Sequence, residues 1–118
     1  MSSIKVSFKV WLEYKGEPII GLGGVKLLKL IEDTGSISKA ARKMGVSYKF
    51  AWSYIRSVEN RLGIKIVKAH RGGKGGGHTK LTDEGLRIVH FYEELFEKFN
   101  ELALFFEDKG KRLIEPHA

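Results

Sequence analysis

Hydrophobic residues recur along this chain with two different periods. Over residues 4–14, Ile4, Val6, Phe8, Val10, Leu12 and Tyr14 alternate with mostly polar partners. That period of two predicts a half-buried strand, with Trp11 on its other face. Lys15-Gly16 can turn the chain, and residues 17–20 can return as a second short strand before Gly21, Gly23 and Gly24 break the run. The period then becomes helical. Leu27, Leu28 and Ile31 predict a helix over about 24–34, closed by Gly35 where a left-handed cap residue belongs. Ser36 can cap the next helix, and Ile37, Ala40, Ala41 and Met44 place one apolar face on residues 37–44. After Gly45-Val46, Ser47 can cap a third helix over 48–62, with Ala51, Tyr54, Ile55, Val58 and Leu62 on one face and Gly63 as the stop.

The rest of the pattern is a hairpin and a long helix. Residues 64–69 read as a short strand and His78 to Leu81 as its return, around Arg71-Gly-Gly-Lys74-Gly-Gly-Gly77. Five glycines in seven residues predict a loop without regular structure. Thr82 can cap a helix over 83–108 that opens on Asp83-Glu84, two acids suited to a helix N-terminus. Ile88, Tyr92, Leu95, Phe99, Leu102 and Phe106 step by four and three along it, and Val89, Phe96 and Ala103 widen the stripe. Residues 109–118, with Gly110 and Pro116, are expected to be a loose tail.

The predicted fold is therefore mainly α with small β elements. Two short helices joined by a tight glycine turn make a helix-turn-helix (36–62), and the hairpin that follows (64–82) is placed as a wing. Residues 1–108 form one domain with an N-terminal strand or hairpin (4–20) and a long C-terminal dimerisation helix. So wide an apolar stripe on the last helix exceeds what 118 residues can cover. A second copy packed against Ile88, Tyr92, Leu95, Phe99, Leu102 and Phe106 is the expected outlet. Folding of that helix back over the first strand is the alternative, and whether the strand pairs within or between subunits stays open.

Charge distribution directs attention to the middle of the chain. Residues 36–82 hold eleven Lys or Arg against Glu59 alone, a net +10, whereas residues 83–118 hold five basic and nine acidic residues. A segment this lopsided points to a polyanion, most simply nucleic acid. A basic membrane-surface patch lacks the continuous amphipathic helix it would need, and no apolar run approaches the roughly 20 residues of a membrane span. Cysteine is absent, which excludes disulfides, thiolate metal sites and cysteine nucleophiles. The first residues lack the apolar core of a signal peptide, so a cytoplasmic protein is expected.

With Ala51, Ile55, Val58 and Leu62 facing inward, the third helix presents Lys49, Ser53, Arg56 and Asn60 outward, with Tyr48 and Trp52 on a flank. Lys and Arg can bind guanine edges, and Ser or Asn can read bases or hold phosphates in a major groove. Arg71, Lys74 and Lys80 of the hairpin can meet phosphates or enter a minor groove. Lys39, Ser47 and His78 complete the candidate contacts. His70 and His78 can face each other across the loop, but two imidazoles without a carboxylate or thiol make a poor metal site. Lys74 is followed by Gly75, which departs from the phosphate-loop pattern, and Lys26 occupies the third glycine position of a dinucleotide pattern. No catalytic constellation, metal or cofactor is expected.

Three strings carry a family resemblance. Residues 35–52 (Gly-Ser-Ile-Ser-Lys-Ala-Ala-Arg-Lys-Met-Gly-Val-Ser-Tyr-Lys-Phe-Ala-Trp), the glycines around Lys74, and Leu81-Thr82-Asp83-Glu84-Gly85 resemble the N-terminal DNA-binding domain of ModE-type molybdate-responsive regulators. LysR-type regulators share a looser version. The resemblance covers about residues 22–105. It implies a winged helix-turn-helix that dimerises through its long helices, places Ser36, Ser38, Tyr48, Lys49 and Lys74 at double-stranded DNA, and makes Trp52 largely structural. Full-length members carry molybdate-binding domains after the long helix. Here ten residues follow it, so no molybdate site is expected, and a separate sensor protein could be a partner. The leading expectation is a homodimeric, sequence-specific regulator. A non-specific architectural DNA-binding protein and a winged-helix protein-interaction module are the competing readings.

Overall fold

The computed structural model describes residues 4–70 and 78–114. In chain order the elements are β1 (Trp11–Tyr14), β2 (Glu17–Gly21), α1 (Leu22–Thr34), α2 (Ile37–Met44), α3 (Tyr48–Leu62), β3 (Val67–His70), β4 (His78–Leu81) and α4 (Asp83–Ile114). The chain divides into two compact units, Trp11–Tyr92 and the described parts of Met1–Val10 with Glu93–Ala118.

The first unit is built on three helices with two antiparallel hairpins. Val25, Leu27, Leu28 and Ile31 of α1, Ala40 and Ala41 of α2, and Ala51, Ile55 and Val58 of α3 are buried together with Ile20, Ile66 and Val89. Each short helix starts and stops where its residues dictate. The Ser36 side chain accepts the Lys39 N–H at 3.0 Å, and that of Ser47 accepts the Phe50 N–H at 3.0 Å. Glycine in the left-handed conformation closes α1, α2 and α3. α1 begins at Leu22, two residues before the expected start at about 24, and so carries both Gly23 and Gly24 inside the helix. The reason is close packing. A methyl group on Gly24 would overlap the Tyr54 hydroxyl, so this glycine lets α1 lie against α3. Tyr54 in turn donates to the Ile19 carbonyl at 3.4 Å. Burial pushes its phenol pKa up, against smaller lowering effects of the Gly21 backbone and Arg61, which favours the neutral donor.

The first hairpin is shorter than the alternation suggests. β1 starts at Trp11 and pairs with β2 through a two-residue Lys15-Gly16 turn in which both φ angles are positive. Residues 4–10 are outside the sheet and belong to the second unit. There the Val6 N–H donates to a Glu107 carboxylate oxygen at 2.9 Å, and Phe8 lies 5.2 Å from Phe96 and 5.6 Å from Phe99 between ring centroids. A methyl on Gly110 would press on Ile4. Ile4 and Phe8 thus lie half-buried against a helix instead of in a sheet, while Val6 stays exposed. This is the fold-back alternative, realised for residues 4–10 within one chain.

α4 continues to Ile114, past the end expected at 108; the last four residues of the expected tail lie outside the described residues. Contact with Ile4 accounts for a helical Gly110. Even with the N-terminal segment in place, Phe99, Leu102, Phe105, Phe106, Leu113 and Ile114 stay exposed. Among the described residues, no helix is long and apolar enough to cross a membrane.

Candidate nucleic-acid interface

The exposed side of α3 carries Tyr48, Lys49, Trp52, Ser53, Arg56 and Asn60, all open to solvent. They follow from the inward placement of Ala51, Ile55 and Val58, since at about 100° per residue the remaining positions turn outward together. Neither α2 nor α3 has an acid in its first turn, so the N–H groups and the positive dipole ends at Ser36 and Ser47 are not neutralised. Ser38 and Lys39 are exposed beside them, while Ser36 is half-buried. The oxygens of Ser36 and Ser47 are already engaged as helix caps, which leaves each hydroxyl its proton to donate.

β3 and β4 form the stem of the wing, in the register Val67 to Leu81, Lys68 to Lys80, Ala69 to Thr79 and His70 to His78. Val67, Ala69 and Thr79 share one face and border a cleft of about 290 Å³ whose other walls include Tyr48, Trp52, Arg56 and Lys65. Lys68, Lys80, His70 and His78 share the opposite face, and the two imidazoles stack at 5.0 Å with 20° between their planes. The strand β4 is laced to the end of α1. The Thr79 N–H donates to the Gly35 carbonyl at 2.8 Å, the Leu81 N–H to a Glu32 carboxylate oxygen at 2.9 Å, and Lys80 Nζ to the Glu32 carbonyl at 2.9 Å. Lys80, a candidate DNA contact, is therefore half-buried and bound to α1. Lys68, which was not singled out, is the exposed cation of that strand pair. Simple alternation from His70 would have found it. Arg71 and Lys74 lie outside the described residues, as does the glycine loop.

Two joints hold the stem against the helices; the capping of α4 by Thr82 is legible in the sequence, whereas its bond to Lys65 and the role of Glu59 are not. The first is Glu59, 6% exposed and the sole acid of the basic segment. One carboxylate oxygen accepts the Ile66 N–H at 2.9 Å and the Val67 N–H at 3.3 Å. The other lies 3.8 Å from Lys65 and 4.0 Å from Arg56. The second joint is the Leu81-Thr82-Asp83-Glu84-Gly85 string. The Thr82 hydroxyl donates to the Lys65 carbonyl at 2.8 Å and accepts the Gly85 N–H at 3.0 Å, so it caps α4 while fixing the entry to β3. A methyl on Gly85 would overlap the Ile66 carbonyl, so glycine is what lets α4 start there. Of the six residues expected to meet a second copy, Ile88 and Leu95 are half-buried and Phe99, Leu102 and Phe106 exposed. Tyr92 is corrected: it is 1% exposed and belongs to the chain's own interior. No group of three or more His, Asp or Glu among the described residues could hold a metal ion.

Three helices, a tight turn between the second and third, and a hairpin docked beside the third define a winged helix-turn-helix. The family model for bacterial regulatory helix-turn-helix proteins of the lysR family matches residues 22–86, more than half of the chain, and the chain belongs to that family. Among curated proteins it is 44% identical over 73 residues to the molybdenum-pterin-binding protein MopB of Rhodobacter capsulatus, covering 62% of this chain and 27% of that one. It is 42% identical over 71 residues to the transcriptional regulator ModE of Yersinia pestis, covering 60% of this chain and 27% of the relative. The likeness to ModE-type proteins read from the sequence strings is borne out. The chain spans about a quarter of the length of these relatives. Among solved structures, BenM_DBD in its complex with benA site 1 DNA superposes with a TM-score of 0.57 at 20% identity, covering 77% of this chain and 97% of that one. At that identity the likeness concerns the fold.

Proposed function

We propose that this chain binds specific duplex DNA as a homodimer and regulates transcription, with no enzymatic activity. The observation that carries the reading is the exposed row Lys49, Ser53, Arg56 and Asn60 on α3, in a segment of net +10 whose one acid is buried. Such a row suits a major groove, where Arg and Lys meet guanine and Ser or Asn meets bases or phosphates. Lys39, Lys68 and the N-termini of α2 and α3, which have no acid in the first turn, suit the flanking backbone. Arg71 and Lys74 of the wing are assigned to phosphates or the minor groove. The name of one relative, the transcriptional regulator ModE of Yersinia pestis, supports regulation. The DNA-binding part of the reading is confined to the helix-turn-helix region that the family model matches, residues 22–86, and assigns no molybdate site to it.

The dimer assignment rests on α4. Leu102, Phe106 and Leu113, with Leu95 one heptad before Leu102, follow a four- and seven-residue spacing that suits a helix pair. A two-fold pair of α3 helices calls for a near-palindromic site with half-sites one or two helical turns apart. Selection from random duplex DNA at about 0.15 M salt tests the whole reading. An enriched inverted repeat is the expected result. Binding without enrichment would make the protein an architectural coat, and no binding would leave an interaction module. On an enriched site, Arg56→Ala is expected to lower discrimination at one base pair by about 1–3 kcal/mol.

A further inference from the structure

The Arg56 side chain does not leave α3 unsupported. Its guanidinium carbon lies 5.3 Å from the centre of the Trp52 ring, one turn earlier on the helix. Its Nη1 lies 4.0 Å from the Glu59 carboxylate, on the following turn. Trp52 is 45% exposed, although an aromatic ring of this size is ordinarily drawn into a core. The interior beneath it is already closed by Ala51, Ile55 and Val58. The ring therefore serves as a surface platform, and the cation above it is its partner. Glu59 is itself fixed, because its other oxygen holds the Ile66 and Val67 amides at the start of β3. The guanidinium is thus restrained from two sides, by a π face and by a carboxylate tied to the wing stem.

We infer that Trp52 is a positioning residue for base recognition: with Glu59 it holds the Arg56 guanidinium in the orientation in which it reads a guanine edge. This inference rests on the DNA-binding reading above and adds to it a residue that need not touch DNA. A planar donor fork held in place loses less rotamer freedom when it forms two parallel hydrogen bonds to O6 and N7. A free arginine would be ordered at the moment of binding. The ring contributes orientation and the Arg56 charge is unchanged by its loss, so removing it should affect discrimination and leave phosphate attraction alone.

The test uses the full chain and the duplex enriched by selection. Each guanine of that duplex is replaced in turn by 7-deazaguanine, which lacks the N7 acceptor. The position whose penalty vanishes in Arg56→Ala is the one Arg56 reads. At that position Trp52→Leu is expected to reduce the guanine over 7-deazaguanine ratio about two- to fivefold, the scale of an exposed cation–π contact. Trp52→Phe is expected to retain most of the ratio. Affinity for a scrambled duplex and the salt slope should not change. In an Arg56→Ala background Trp52→Leu should have no further effect on affinity for the unmodified selected duplex. Thermal melts check that each variant folds, and Trp52→Met replaces Trp52→Leu if the latter does not. An unchanged ratio in the folded Trp52 variants overturns the inference. So does an equal loss of affinity for the unmodified selected duplex in both backgrounds, which would make Trp52 a DNA contact in its own right, and so does a site with no guanine that depends on Arg56. In these three outcomes an enriched site still stands, and the DNA-binding reading survives. Absence of any enriched site would instead remove that reading, and this inference with it.

Discussion

The helix-turn-helix unit and the unit built on the second half of α4 solve the same packing problem in opposite ways. The first closes its interior with aliphatic residues from three helices and turns lysines and arginines outward. The second has one long helix and seven residues of N-terminal chain, buries Ala103, and leaves four large apolar side chains at positions 102–106 in water. Surplus charge calls for a polyanion; surplus apolar surface calls for another protein surface. On the proposed reading one chain therefore carries two partner surfaces of unlike chemistry, and each should fail under a different insult.

The largest separation of the two should come from the core. Leu28 is fully buried in the first unit, and Leu28→Ala is expected to lower unfolding free energy by about 2–5 kcal/mol in a urea titration. Survival of full stability would mean that the first unit is not where the chain's cooperativity resides. Next is the apolar face. Leu102→Glu combined with Phe106→Glu should weaken self-association at least about 100-fold, or ~2.7 kcal/mol, in sedimentation equilibrium. The far-ultraviolet melt should barely move. Unaltered association would place the dimer contact elsewhere.

Glu59 comes third. Glu59→Ala leaves the Ile66 amide buried without an acceptor and is expected to cost about 1–3 kcal/mol in thermal unfolding. Glu59→Gln, which keeps one carbonyl oxygen, should cost less, and equal losses would show that the charge matters more than the hydrogen bond. The smallest effect belongs to a single surface cation. Lys49→Ala should reduce the slope of log affinity against log salt by about 0.9 if Lys49 neutralises one phosphate. A slope that does not change would assign Lys49 to bases or to solvent.

How much of this was legible depended on whether the signal was local. α2 and α3 announce themselves through Ala40, Ala41, Ala51 and Ile55 at helical spacing and through serines and glycines at their ends, so the helix-turn-helix could be read directly. The hairpin stem was legible for the same reason. Glu59 was not, because its partners are amides seven and eight residues on, brought to it by tertiary packing. Alternation at residues 4–10 reports that one face is covered and is silent on what covers it, which is why a strand was expected where chain packs on α4. Tyr92 shares the stripe of the exposed residues, and helical periodicity alone cannot say where along a stripe the interior ends.

The bond from the Val6 amide to Glu107 joins positions 101 residues apart. During synthesis this contact cannot form until Glu107 has left the ribosome, long after α1 to α3 can have met through contacts a few turns apart. Closing so long a loop carries an entropic penalty that grows with its logarithm, and domains assemble in the order their parts emerge. The helix-turn-helix unit would then be made first, and the N-terminal segment would be free to stray until the final turns of α4 arrive.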